Sequence, residues 1–168
     1  PILPDKPLAW PTAIDTPVFY VYQMVNSCVS MIHRESMRDT TRLIGVIVAT
    51  ETKRDSYTKF LSKANTGDDI IVSSYSNESK QSVNIDFSMG GIVVLCDKSV
   101  KGIEFDTVFI VLDDLKVMNN DTDAIKKRLY VMSSRAKEKL FLLRSAAIPN
   151  EVEELLPTDE KLMIRDNI

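Results

Sequence analysis

The chain has 168 residues, 44% of them hydrophobic, and a formal charge of -3, which suits one globular domain with a real core and leaves no room for a second full one. That charge excludes a protein that coats nucleic acid by bulk electrostatics and allows only a local basic edge. Cys28 and Cys96 stand in apolar settings without metal-ligand spacing, so they read as structural thiols of a reducing, intracellular compartment, and no metal site is expected.

The chain opens on the proline-rich stretch PILPDKPLAWP, which cannot start a regular element; residues 1–17 are an entry segment. PVFYVY is β-branched and aromatic, a strand, and MVNSCVSMIHRESM places apolar residues at helical spacing. The single histidine, His33, falls in that helix within HRES, where a solvated face is expected rather than a Ser-His or Cys-His pair. LIGVIVAT is a continuous apolar run, a strand covered on both faces. ETKRDSYTKFLSKAN then reads as a helix that stops near Gly67.

DIIVSSYS is a further short strand, and SNESKQSVNIDFSMGG a polar loop or hairpin. GIVVLC and TVFIVLD are two strands joined by the KSVKGIEF loop. DAIKKRLYVMSSRAKEK is an amphipathic helix leading into the strand LFLLR, VEELL a short helix, and residues 149–168 a polar tail. Strands alternating with helices predict an α/β layer with a mainly parallel sheet over residues 18–148. No apolar run is long enough to span a bilayer, so no membrane contact is expected.

The strand ending in Asp113 and Asp114 looks like a magnesium-holding strand of a P-loop ATPase, which needs a Gly-rich loop with Lys to hold the phosphates. None of the five glycines is followed by lysine. Taken alone, the two aspartates read as a strand-end turn.

Two segments carry a stronger signal together: VKGIEFDTVFIV at 100–111 and KKRLYVMSSRAKEKLFLL at 126–143. They resemble the second RecA-like lobe of UvrD/Rep-type superfamily 1 helicases, whose pattern is KGLEFD before a hydrophobic strand, then RRLLYVAxTRAxxxL and another strand. RLIGVIVATETKRDSYTKFL looks more weakly like that family's IAVLxRT strand and helix. The short connection between this helix and KGIEFD is like that of the compact helicase IV and HelD type. The resemblance implies a RecA-like three-layer sandwich whose phosphate loop lies on a first lobe, so that ATP and magnesium are bound mainly there. Partners would be that first lobe, in the same parent chain, and single-stranded DNA.

The resemblance also implies roles. Arg135 falls at the family's arginine finger, at the end of a helix expected to be anchored by Leu129, Tyr130 and Met132. Lys101, Gly102 and Glu104 match the nucleotide-facing loop; Glu104 has a plain alternative as a turn-capping acid, and Phe105 is expected to pack beneath. Cys96, Lys98 and Ser99, within CDKS, align with a TxHS segment that touches single-stranded DNA, with Cys for Thr and Lys for His. Ala49 aligns with a family arginine that contacts the γ-phosphate, and Lys53 or Arg54 on the following helix are its possible substitutes. The expected function is the carboxy-terminal motor lobe of an ATP-dependent DNA helicase, inactive by itself and residing in the cytoplasm. The alternative is a degenerate, non-catalytic module that uses the fold to hold a protein.

Overall fold

In the computed structural model the described residues are 10, 14–21, 24–65, 67, 70–76 and 89–167. Most of the proline-rich entry, and residues 77–88 of the loop or hairpin expected over 76–91, lie outside them. The elements are β1 (Val18–Val21), α1 (Val25–Arg38), β2 (Leu43–Val48), α2 (Glu51–Ala64), β3 (Val72–Tyr75) and β4 (Gly91–Cys96). A 3₁₀ turn η1 (Asp97–Ser99) follows, then β5 (Phe105–Val111), α3 (Thr122–Ser133), β6 (Ala136–Arg144), the 3₁₀ turn η2 (Glu151–Leu155) and β7 (Ile164–Asn167). The strands form one sheet in the order β3-β4-β2-β5-β6-β1-β7, and every pairing is parallel.

The central strands are covered on both faces, as their unbroken apolar runs require. Every residue of β2 and β4 is buried. Alternation along β2 sends Leu43 and Ile47 into one core, with Leu129, Met132 and Val152 from α3 and η2. It sends Ile44, Val46 and Val48 into the other, with Cys28, Ile32, Tyr57 and Leu61 from α1 and α2. The result is a three-layer α/β sandwich. Local chemistry sets the helix starts: the Thr50 side chain accepts from Lys53 N at 3.1 Å, and Asp121 accepts from Ala124 N at 3.0 Å, each satisfying an otherwise orphaned first-turn donor.

Three expectations are corrected. The third helix ends at Ser133, and AKEK begins β6. Ser133 Oγ and Ser134 Oγ donate back to the carbonyls of Tyr130 and Val131 at 2.9 and 2.7 Å, a competition that closes a helix, while Ala136 pairs with Phe105 in the sheet. Tyr130 is not an anchor: Ile125, Leu129 and Met132 share the buried stripe, and Tyr130 is 49% exposed. The polar tail expected over 149–168 packs on the lobe through its described residues. Val152, Leu156 and Met163 enter the core, and β7 pairs with β1 as an edge strand.

Candidate functional site

A parallel sheet gathers all strand starts on one edge and all strand ends on the other, and the length of β4 sets the two about 20 Å apart. The chain leaves β4 at Cys96 on the carboxyl edge and crosses to the amino edge, where β5 begins at Phe105. On the way, Gly102 turns the backbone at φ +81°, a conformation that favours glycine, and Ile103 N donates to Val100 O at 3.1 Å. Phe105 is fully buried, as expected; its ring lies over Gly45, where an added Cβ would come within 2.5 Å of it. Burying that ring contributes about 2–3 kcal/mol, which fixes where the crossing ends.

At the amino edge, Phe105 N donates to Arg135 O at 2.8 Å. One backbone bond thus brings the end of the KGIEF segment, with Glu104, beside Arg135. Lys101, Gly102 and Glu104 are exposed. The Arg135 guanidinium is folded onto the end of its own helix, Nε donating to Val131 O at 3.2 Å and Nη2 to Ser134 Oγ at 3.3 Å. Both contacts are long and exchangeable with a better acceptor.

Cys96, Lys98 and Ser99 are not part of this group. They lie where the chain leaves β4, and of the three only Lys98 is exposed. Cys96 is 6% exposed, and burial raises its thiol above its ordinary range, which lowers its thiolate fraction.

The rest of the carboxyl edge is knitted together. Asp113 is buried and accepts from Ser145 N at 3.2 and 3.3 Å and from Ser145 Oγ. Lys53 Nζ lies 3.9 Å from Asp113 and 3.5 Å from Asp114, and Asp114 turns the chain at φ +68°. These carboxylates close a strand-end turn. Arg144 is held by Glu153 at 2.9 Å and donates to the carbonyls of Ala146 and Ala147; Arg54 pairs with Asp55. A cavity of about 260 Å³ opens among Lys53, Asp113, Arg144 and Asn150, but its charges face one another. Behind it, burial pushes the Cys28 thiol up to about 12 and the neighbouring Tyr57 phenol well above its usual range. Ala49 also sits at this edge, remote from Arg135. Among the described residues no group of three His, Cys, Asp or Glu could hold a metal ion, and no helix is long and apolar enough to cross a membrane.

No family model matches the sequence, and neither does any curated protein. The structure is similar to the C-terminal domain of a possible DNA helicase from Lactobacillus plantarum WCFS1, with a TM-score of 0.65 and 16% identity over 90% of this chain and 86% of that one. It is also similar to a chain in the crystal structure of the E. coli DEAD-box protein SrmB bound to regulator of ribonuclease activity A, with a TM-score of 0.50 and 13% identity over 92% and 96% of the two chains. The fold is RecA-like. At these identities the likeness fixes the layers of the RecA-like lobe and leaves the roles of its side chains to their chemistry.

Sequence reasoning missed one pair on this lobe. Arg128, midway along α3, donates through Nε at 2.9 Å and through Nη2 to Asp97 Oδ2. The pair ties η1 to α3, which ends at Ser133, two residues before Arg135. Only the opposite charges of two segments that fold together hinted at it, and a hint of that kind fits many pairs in a chain this charged.

Proposed function

We propose that this lobe is the carboxy-terminal half of an ATP-dependent superfamily 1 DNA helicase or translocase of UvrD/Rep type, working against a first lobe in a longer chain. The observation that carries the reading is the Phe105–Arg135 backbone bond, which unites the KGIEFD and SSRAK segments at one edge of a RecA-like sheet. The residues present fit one side of a nucleotide cleft and not its phosphate cradle, because no Gly-Lys loop exists in the sequence. ATP with magnesium, held mainly by the first lobe, supplies the phosphoanhydride whose hydrolysis drives the cycle.

In this reading Arg135 exchanges its long helix-end contacts for an anion across the cleft, a task suited to a planar guanidinium that never deprotonates. Gly102 permits close approach of the loop, and Glu104 accepts from a sugar hydroxyl. Exposed Lys98 holds a backbone phosphate of the single strand, while buried Cys96 and Ser99 act through their backbone. The Asp97–Arg128 pair transmits movement of η1 to α3 and so to Arg135.

A second reading, a non-catalytic module that holds a protein partner, is favoured by Tyr130 and Val131, which lie 49% and 40% exposed on α3. The two separate on the ATPase rate of the full-length protein with and without single-stranded DNA. The motor reading expects DNA-stimulated turnover by the full-length protein and none by this chain alone; a full-length protein that carries a phosphate loop and yet never hydrolyses ATP would establish the second reading.

A further inference from the structure

We infer that Asp106 is a positioning residue for Arg135: its carboxylate pins the start of β5 to β2 and to a bulge in β6, and so sets where the turn that carries Arg135 is held. What Arg135 does rests on the motor reading; how its turn is aimed is a matter of geometry alone.

Alternation along β5 sends Val108, Ile110 and Leu112 into the core under α3, and Phe109 and Val111 into the other. The same alternation would place Phe105 with Phe109, yet it lies with Val108. The pairing with β6 explains the switch: Phe105 pairs with Ala136 and Thr107 with Lys139, so that Lys137 and Glu138 together stand opposite Asp106. An extra residue on one strand is a β-bulge, a device that bends a strand and re-aims side chains, and it is rare between parallel strands. Here it turns the Phe105 ring over Gly45. It begins two residues after Arg135, whose carbonyl accepts from Phe105 N at 2.8 Å.

A bulge interrupts the ladder locally, so side chains must hold it. Asp106 Oδ2 accepts from Leu43 N at 2.8 Å, joining residues 63 apart. Lys137 Nζ lies 3.5 Å from Asp106 Oδ1, and Arg42 Nη1 lies 3.2 Å from Glu138 Oε1. Lys137, Arg42 and Glu138 are each about half exposed, and ion pairs of that kind hold weakly. The Leu43 bond is different: its donor belongs to a buried residue, and its acceptor is charged and only 17% exposed, which makes it the stronger kind. Without it β2 and β5 are paired only from Ile44 and Thr107 onward, and Phe105 with its grip on Arg135 is free to shift.

The test is a double-mutant cycle in the full-length protein, in which kcat and the KM for ATP are measured for Asp106→Ala, Arg135→Ala and the two together. Asp106→Ala should lower kcat about tenfold with KM unchanged, within the hundredfold that a misplacement of about 1 Å can cost. In the Arg135→Ala background the same change should cost nothing further, because Asp106 acts through that side chain. A defect of stability alone would lower the active fraction equally in both backgrounds. Asp106→Asn keeps an oxygen for Leu43 N and should return kcat to within about threefold of wild type.

Hydrogen exchange of the Phe105 amide in the same proteins supplies a measurement that needs no turnover; Asp106→Ala should quicken it about tenfold and Asp106→Asn should not. Additive losses in the cycle overturn the inference, and so does an Asp106→Ala protein with wild-type kcat. If the wild-type protein hydrolyses no ATP, the motor reading fails and the amide decides the positioning: unchanged protection in Asp106→Ala overturns it. If Asp106→Ala does not fold, Asp106→Glu, which lengthens the arm by one methylene, takes its place in both measurements under the same criteria.

Discussion

The two edges of the sheet differ in what their charges are doing. At the carboxyl edge Asp113 is committed to Ser145 and Lys53, and Arg144 to Glu153 and two carbonyls. At the amino edge Glu104 is exposed and Arg135 rests on its own helix end through bonds of 3.2 and 3.3 Å. Ligands of open α/β sheets commonly sit at the carboxyl ends of the strands. Here the carboxyl edge is locked by mutual pairing, and at the amino edge Arg42 with Glu138 and Lys137 with Asp106 are paired while Glu104 and Arg135 are held by no carboxylate or cation among the described residues, so accounting for each side chain's partners points elsewhere than fold-level analogy does.

The sharpest way to break this contrast is Arg135→Ala in the full-length protein. On the motor reading hydrolysis should fall about a thousandfold, the scale of arginine fingers in phosphoryl transfer, with little change in ATP affinity and less than about 0.5 kcal/mol in folding stability. Turnover close to wild type in a steady-state assay would return Arg135 to the surface. Lysine at this position should rescue poorly, since it offers a point charge without the fork.

Asp113→Ala should show the opposite signature. Removing a buried acceptor strands Ser145 and leaves Lys53 beside Asp114 alone, a loss of about 3 kcal/mol. Urea denaturation measures it, and a loss below about 1 kcal/mol would mean that the carboxyl edge is not locked.

The same network predicts alkaline instability. A thiol raised from 9.0 to about 12 keeps its proton in the folded state after the unfolded chain has lost it. Stability is therefore unaffected below pH 9 and falls by about 1.4 kcal/mol per pH unit as the pH climbs toward 12. Tyr57, raised for the same reason, adds to the fall. Cys28→Val should flatten the first part of the decline in a pH series of denaturation curves.

The smallest effect is expected of Lys98→Ala. Single-strand binding by the full-length protein should weaken and its salt slope drop by about one counterion, with no change in base preference. DNA stimulation of hydrolysis should fall while the DNA-free rate stays put. An unaltered salt slope would make Lys98 a solvated loop charge.

How far the sequence announced this lobe varies with the physics of each part. The apolar runs of β2, β4 and β5 announced themselves because buried parallel strands need continuous apolar residues. The end of α3 did not, because AKEKLFLLR continues a plausible amphipathic pattern and the stop comes from Ser133 and Ser134 bonding back to the last turn. β7 was hidden by the polar letters IRDN: an edge strand needs only its backbone, supplied here by Ile164 N donating to Pro17 O at 2.8 Å, and Arg165 covers the Phe19 ring at 5.7 Å. At the candidate site the loop glycine and the buried Phe105 were legible from their residue types. The Asp97–Arg128 pair was not, because it joins residues 31 apart and the family pattern has leucine where Arg128 stands.

Gly45 gives the sheet a hidden lever. It lies mid-strand in β2, paired with Val93 and Val108, far from any exposed group, yet the Phe105 ring occupies the space a methyl group would need. In a random mutagenesis screen scored by activity, a change to alanine there would surface among the loss-of-function clones. The displaced ring carries the Phe105 backbone with it, and that backbone holds Arg135 in register. Such a clone would be filed as a core defect, although what it loses first is the alignment of a side chain in the turn between α3 and β6.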